Sequence, residues 1–262
     1  MSQTGYQQVL LVPADNVVSG NHADKEREDS MEGFFQGIWE SIYTAVIADS
    51  RWKMYLEGLG NTLLIALSAT IIGVLIGLII AVIKYYAVGN KKLWILDKLC
   101  DLYLTVIRGT PVVVQLLILY TAVFTSLTDG LLVAVVGFGI NSGAYVAEII
   151  RSGIMSIDKG QSEAGRSLGL NNTQTMRMII LPQAFKNILP ALFNEFIALL
   201  KETSVSGMIA VRDLTKAADG IKGRIFEPTP LFIAAIIYLI LVIGMTAVQR
   251  MIERRLSASD RH

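Results

Sequence analysis

What this chain has little of narrows it first. Only 17% of its 262 residues are charged, and its mean hydropathy is +0.52. A soluble domain of that length carries more charge, so the composition points to a membrane protein. Cys100 is the sole cysteine, which excludes an internal disulfide. The two histidines, His22 and His262, lie in the tails, leaving no material for a His-based metal site or catalytic triad. No G-x-x-x-x-G-K-[S/T] phosphate loop occurs, which removes that route to ATP binding. A net charge of +1 gives no electrostatic case for nucleic acid.

What is present is long apolar text. A helix crossing a hydrocarbon layer of ~30 Å needs about 20 mainly apolar residues. Spans are expected at about 62–84, 111–127, 130–150, 187–207 and 229–250, which makes an all-α integral membrane protein with five transmembrane helices. Asp129 marks a tight outer turn between the second and third. The fourth carries Glu195, Lys201 and Glu202, which must face protein or water rather than lipid. Lysines and arginines gather in 84–98, 151–186 and the C-terminal tail, so a cytoplasmic C-terminus and an outer N-terminus are expected. Four basic residues nevertheless fall in the outer 208–227 loop: Arg212, Lys216, Lys222 and Arg224.

Before the first span the text has two parts. Residues 1–30 are polar, include the cluster DKERED, show no signal peptide and are expected to be disordered, with Met31 as the initiator. Residues 31–57 repeat aromatic and apolar residues at helical spacing, as an amphipathic helix at the outer interface does, with Trp39, Tyr43 and Trp52 at headgroup level. Residues 256–262 form a cytoplasmic tail. Gly73 and Gly77 form a GxxxG on the first span, a packing device. Thr110-Pro111 reads as the start of the second, with Thr110 as cap and Pro111 in the first turn.

Residues 158–184 interrupt the apolar text with a polar, helix-like stretch. Asp158 and Gln161 fit a capping box, Gly169 a left-handed helix end, and Asn172 the cap of a second helix. Glu163 and Arg166 stand three apart and could pair. A folded connector between two spans satisfies these observations. Glu163-Ala164-Gly165, three residues, Gly169, nine residues, Ile179 and Leu181-Pro182 also resemble the EAA loop of ABC importer permeases, with Gly165 where that pattern has a second alanine. Arg108-Gly109-Thr110-Pro111, Ala144 to Arg151 and Asn194 to Ser204 are similar to the polar amino acid branch, which takes in histidine, arginine, glutamine and opine importers. The resemblance spans about residues 58–255.

This resemblance implies a type I ABC importer permease fold whose cytoplasmic coupling helix docks on an ATPase, through Gln161, Glu163, Ala164, Gly165, Ser167, Leu168 and Gly169. It implies alternating access for a polar amino acid in a bacterial cytoplasmic membrane. The partners would be a second permease copy or paralogue, two ATPase subunits holding ATP and Mg, and an extracellular or periplasmic binding protein. No catalytic residue and no cofactor are expected in this chain. Glu195 has two readings: a buried pair with another span, or the receiver of a substrate ammonium, with Asn141 and Gln115 offering amides to the same ligand. A secondary transporter or channel driven by an ion gradient is the alternative, and it would have no use for a docking helix.

Overall fold

The computed structural model describes residues 15–88, 90–126 and 129–258, with side chains from Met31 to Leu256. Every regular element among them is helical. In chain order these are α1 (Asp15–Val46), α2 (Trp52–Ala87), α3 (Trp94–Gly109), α4 (Val112–Ile118), α5 (Gly130–Met155), α6 (Lys159–Ser167), α7 (Asn172–Thr175), α8 (Leu181–Glu202), α9 (Leu214–Ile225) and α10 (Thr229–Ala258). Helices α2, α5 and α10 are long and apolar enough to cross a membrane. A fourth is reached if the pair made by Lys91–Gly109 and Val112–Val123, bent by 107°, counts as one span. Lys186, Asn187, Asn194 and Glu195 keep α8 more polar than these.

The core is built on the seam between α2 and α5. A β-carbon added at Gly73 would meet Ser142 Oγ at 2.8 Å, and one at Gly77 would meet Val146 Cγ1 at 2.5 Å. The GxxxG pair thus lets two backbones close on each other, as its spacing suggests. Ile65, Ala69, Leu116, Val133, Phe138 and Leu199 fill one end of the seam, and Val146, Ile150, Ala184 and Ile188 the other. Helix α10 leaves Phe232, Ile236, Leu239, Ile240 and Ile243 exposed, the surface of a helix against lipid.

Several local expectations are corrected. Residues 1–14 and 259–262 lie outside the described residues, as do Gly89, Leu127 and Thr128. Disorder expected for 1–30 therefore meets structure only from Asp15, where α1 begins and runs on to Val46; no proline interrupts that stretch. Thr110 does not cap α4: its hydroxyl donates back to the Val106 carbonyl, closing α3, and Pro111 is the N-cap position. The two helices therefore meet at an angle rather than in line. Between the first two spans the basic 84–98 stretch leads into an amphipathic helix, α3, which Lys84 ties to α2 through Asp97 at 2.8 Å and Asp101 at 2.6 Å. Asp129 is the N-cap of α5, accepting from the Leu131 N–H.

At the far end Asp213 joins three elements. It is fully buried and caps α9 by accepting from the N–H groups of Thr215 and Lys216, while the Tyr238 hydroxyl of α10 donates to Oδ2 at 3.5 Å. Leu214 N–H donates to Thr62 Oγ1 of α2. Burial pushes the Asp213 carboxyl above the usual carboxylate range, against the two backbone N–H groups that pull it back. Asp213→Ala should therefore cost about 1–2 kcal/mol in stability, read as a lower melting temperature in detergent. Asp213→Asn should melt near the wild type, because asparagine caps equally well and removes the buried charge.

Candidate functional site

The polar residues of the apolar bundle meet in two adjoining pairs on α5. Asn141 is 3% exposed and donates through Nδ2 to Gln115 Oε1 of α4 at 3.0 Å. Gln115 Nε2 in turn donates to the Ile107 carbonyl at 2.8 Å and to Thr110 Oγ1 at 2.8 Å, spanning the bend between α3 and α4. The next residue, Ser142, points elsewhere because consecutive helix positions differ by about 100°. Its hydroxyl donates to Glu195 Oε1 of α8 at 3.0 Å. Glu195 is half-buried, and its Oε2 accepts no hydrogen bond among the described residues. Tyr103 of α3 donates to the carbonyl of Ile140, one residue before this pair.

Glu195, Asn141 and Gln115 are thus all placed on the inner faces of the bundle, but not as three independent donors. Asn141 and Gln115 satisfy each other, and Glu195 keeps one oxygen free. Ser142 and Tyr103 are the residues that the sequence did not single out. Ser142 was legible in principle, since a serine opposite a GxxxG glycine sits at a helix crossing. Tyr103 was not, because its target is a backbone carbonyl far along the chain. Arg108 lies 3.6 Å from Glu148 and 5.9 Å from the Tyr145 ring, tying the end of α3 to α5. Among the described residues no group of His, Cys, Asp or Glu side chains could hold a metal ion.

The second region is α6 and the turn after it. Asp158 caps the helix by accepting from the Gly160 N–H, so the expected capping box with Gln161 is replaced by a simple cap. Gly169 has φ +81, and the Leu170 N–H donates to the Gly165 carbonyl while Gly169 N–H donates to that of Arg166. This is the Schellman arrangement, which favours glycine at its left-handed residue. The following cap is Asn171, not Asn172, and it forms a full capping box with Gln174. Arg166 donates to Ser162 rather than pairing with Glu163. Gln161, Glu163, Ala164, Ser167, Leu168 and Gly169 are exposed, Leu168 at 79%.

Gly165 differs from these six because it is buried against α7. An added β-carbon would lie 2.7 Å from Thr175 Cγ2 and 3.1 Å from Ile179 Cδ1. The glycine in the EAA-like motif therefore lets α6 sit close on the chain's own next helix.

The family model described as binding-protein-dependent transport system inner membrane component matches residues 73–258. The chain belongs to this family. It is 40% identical over 209 residues to the arginine transport system permease protein ArtQ of Bacillus subtilis strain 168, covering 78% of this chain and 93% of the relative. The glutamine transport system permease protein GlnP of Escherichia coli K12 is 36% identical over 223 residues, covering 83% and 97%. A crystal structure of an amino acid ABC transporter with histidines superposes with a TM-score of 0.72 at 41% identity, covering 78% of this chain and 94% of that one. The inward-facing MetNI methionine transporter, at 21% identity and a TM-score of 0.69, shares the fold, covering 80% and 99%. This protein is a membrane permease subunit of an ABC importer and not an enzyme; ATP hydrolysis belongs to a separate subunit.

The Thr175 contact makes a prediction against the family's own alanine. Gly165→Ala should cost about 1–3 kcal/mol through overpacking, seen as a lower melting temperature. Adding Thr175→Ala should restore most of the loss; an equally unstable double variant would remove the contact as the cause.

Proposed function

We propose that this permease carries a polar amino acid inward, and that Glu195 receives its ammonium. The observation that carries the reading is the free Oε2 of a half-buried carboxylate, held by Ser142 inside an apolar bundle. A carboxylate in such a place is retained for a partner that is present only part of the time. The amide pair Asn141–Gln115 stands beside it as a polar wall that can exchange its mutual hydrogen bond for one to the ligand. Relatives named for arginine, glutamine and L-cystine transport support an amino acid as the class, since all three share the α-ammonium and α-carboxylate.

In this reading five spans form the bundle: α2, α4 with the turn that follows it, α5, α8 and α10. The C-terminus is cytoplasmic and the N-terminus outside, with 31–57 lying at the outer interface. Helix α6 is the coupling helix. Leu168 and the exposed face from Gln161 to Ser167 enter a groove on the ATPase, and Gly165 positions the helix from behind. Two such permeases, identical or paralogous, face two ATPases that hold ATP and Mg. A loaded binding protein docks outside, ATP closes the ATPase pair, and α6 passes that closure to the spans. Hydrolysis resets the inward-open state.

Two measurements test this. Glu195→Gln should lower uptake of the transported amino acid by about tenfold or more, the loss of one charge-assisted hydrogen bond of about 1.5–3 kcal/mol. Unchanged affinity and rate would make Glu195 structural. Leu168→Asp and Gly169→Arg should each abolish co-purification of the ATPase from native membranes, while the permease stays folded in detergent. Retention of the ATPase by both would remove α6 from the interface.

A further inference from the structure

We propose that the groove running from the C-terminal end of α2 to α6 is a binding site for an anionic phospholipid, with one acyl chain in its apolar part and the phosphate against Arg166. The inference rests on the importer reading for one thing, the placement of this end of the bundle at the cytoplasmic leaflet.

The groove has two parts of opposite character. The first is an apolar slot of about 280 Å³ between α2, α3 and α5, walled by Ile80, Ala81, Leu104, Ala147, Ile154 and Met155. Ile80 and Ala147 are buried and Met155 is exposed, so the slot is closed on one side and open on the other. The second is a polar cleft of about 440 Å³ between the end of α2 and the α6–α7 turn, lined by Ser162, Arg166, Asn172 and Thr173 together with Tyr86. Tyr85 and Val88 belong to both linings, so slot and cleft adjoin. Water can fill the cleft, but an apolar slot offers it no hydrogen bonds. A hydrocarbon chain suits the slot and a charged headgroup suits the cleft. A phospholipid carries both on one molecule.

Arg166 sets the charge of that headgroup. Lys84 and Arg151 also line the slot, but acids already hold them. Lys84 lies 2.8 Å from Asp97 and 2.6 Å from Asp101, and Arg151 pairs with Glu148, which Arg108 also reaches. Arg166 has no ion pair among the described residues; its guanidinium donates to the neutral Ser162 hydroxyl at 3.2 Å. At this end of the bundle, residues 84–108 and 148–177 hold nine lysines and arginines against five acids, Asp97, Asp101, Glu148, Asp158 and Glu163. Asp158 is committed to the Gly160 N–H. A cationic surplus around an unpaired guanidinium in a cleft attracts a phosphate, to which arginine can make two parallel hydrogen bonds.

Local structure aims these groups. Ser162 and Arg166 stand one turn apart on α6 and share a side of it, away from the face that bears Ala164 and Ser167. The Tyr85 hydroxyl donates to the Asn172 carbonyl at 3.5 Å, a long bond that a headgroup can replace. Tyr86 packs edge-on to Tyr85, with 5.2 Å between ring centres, and is half exposed, as aromatics at headgroup level are. A lipid seated here touches α2, α5 and α6 together, which joins the spans to the helix assigned to the ATPase.

For the test, the permease is isolated with whatever subunits accompany it and placed in phosphatidylcholine nanodiscs containing about one quarter phosphatidylglycerol, an anionic lipid. Native mass spectrometry then counts the lipids that stay on the permease. The wild type should retain one phosphatidylglycerol ahead of phosphatidylcholine. Arg166→Gln should lower that retention by about threefold or more, through the lost charge-assisted hydrogen bonds. Ala81→Phe, which fills the slot without changing charge, should lower it likewise. Lys91→Gln removes a cation that lines neither part of the groove, and should retain the lipid as the wild type does. Equal losses in Lys91→Gln and Arg166→Gln would overturn the proposal in favour of general charge attraction. Unchanged retention in Ala81→Phe would overturn it in favour of a phosphate site open to soluble anions. A wild type that retains no phosphatidylglycerol would overturn it outright. Lipid retention is read without transport, so this site and the importer reading can each fail alone.

Discussion

The close approach of α2 to α5 is the constraint on which the rest of the structure hangs. Gly73 and Gly77 let α5 lie against α2 with only Ser142 and Val146 between the backbones. In lipid no hydrophobic force drives helices together, so such contact has to come from shape. The same seam aims Ser142. With one side of its hydroxyl pressed against α2, the remaining direction leads to α8, and Glu195 is there to accept. A packing device therefore also orients a half-buried carboxylate that keeps one oxygen free among the described residues.

Several polar groups in the bundle find a partner on a neighbouring element, because an unpaired polar group away from water costs several kcal/mol, although Tyr55, Ser206 and Glu227 each keep a buried oxygen without one among the described residues. Gln115 shows it most fully. The break at Thr110–Pro111 frees the carbonyls at the end of α3, and the Gln115 side chain folds back to satisfy them while accepting from Asn141. The bend, the amide pair and the α5 register are consequently one unit. Glu195, held by Ser142 through one oxygen, keeps the other without a hydrogen bond among the described residues.

The two ends of the helix bundle carry different surfaces. On one side α6 offers a short polar helix with Leu168 projecting from its end, set close to the chain by Gly165 and turned sharply by Gly169. On the other, α9 is a longer helix fixed by a buried aspartate and carrying cations outward. Between them run helices whose ends are tied in pairs, Lys84 to Asp97 and Asp101, and Arg108 to Glu148. Movement at one surface has rigid elements through which to reach the other.

Much of this was legible in the amino-acid order. The membrane class, the GxxxG seam, the polar helix at 159–167, the left-handed Gly169 and the family all follow from local pattern. Local pattern suffices there because each depends on residues within a turn or two of one another, or on transfer of a whole segment out of water. What only the tertiary structure decided is pairing at long range. Asn141 turns to Gln115 and not to a shared pocket, Ser142 holds Glu195, Gly165 packs on Thr175, and Thr110 closes the helix before it rather than opening the one after. Each choice is made by which neighbour lies within hydrogen-bond or van der Waals distance once helices are packed. Sequence spacing along one helix carries no information about the register of the next.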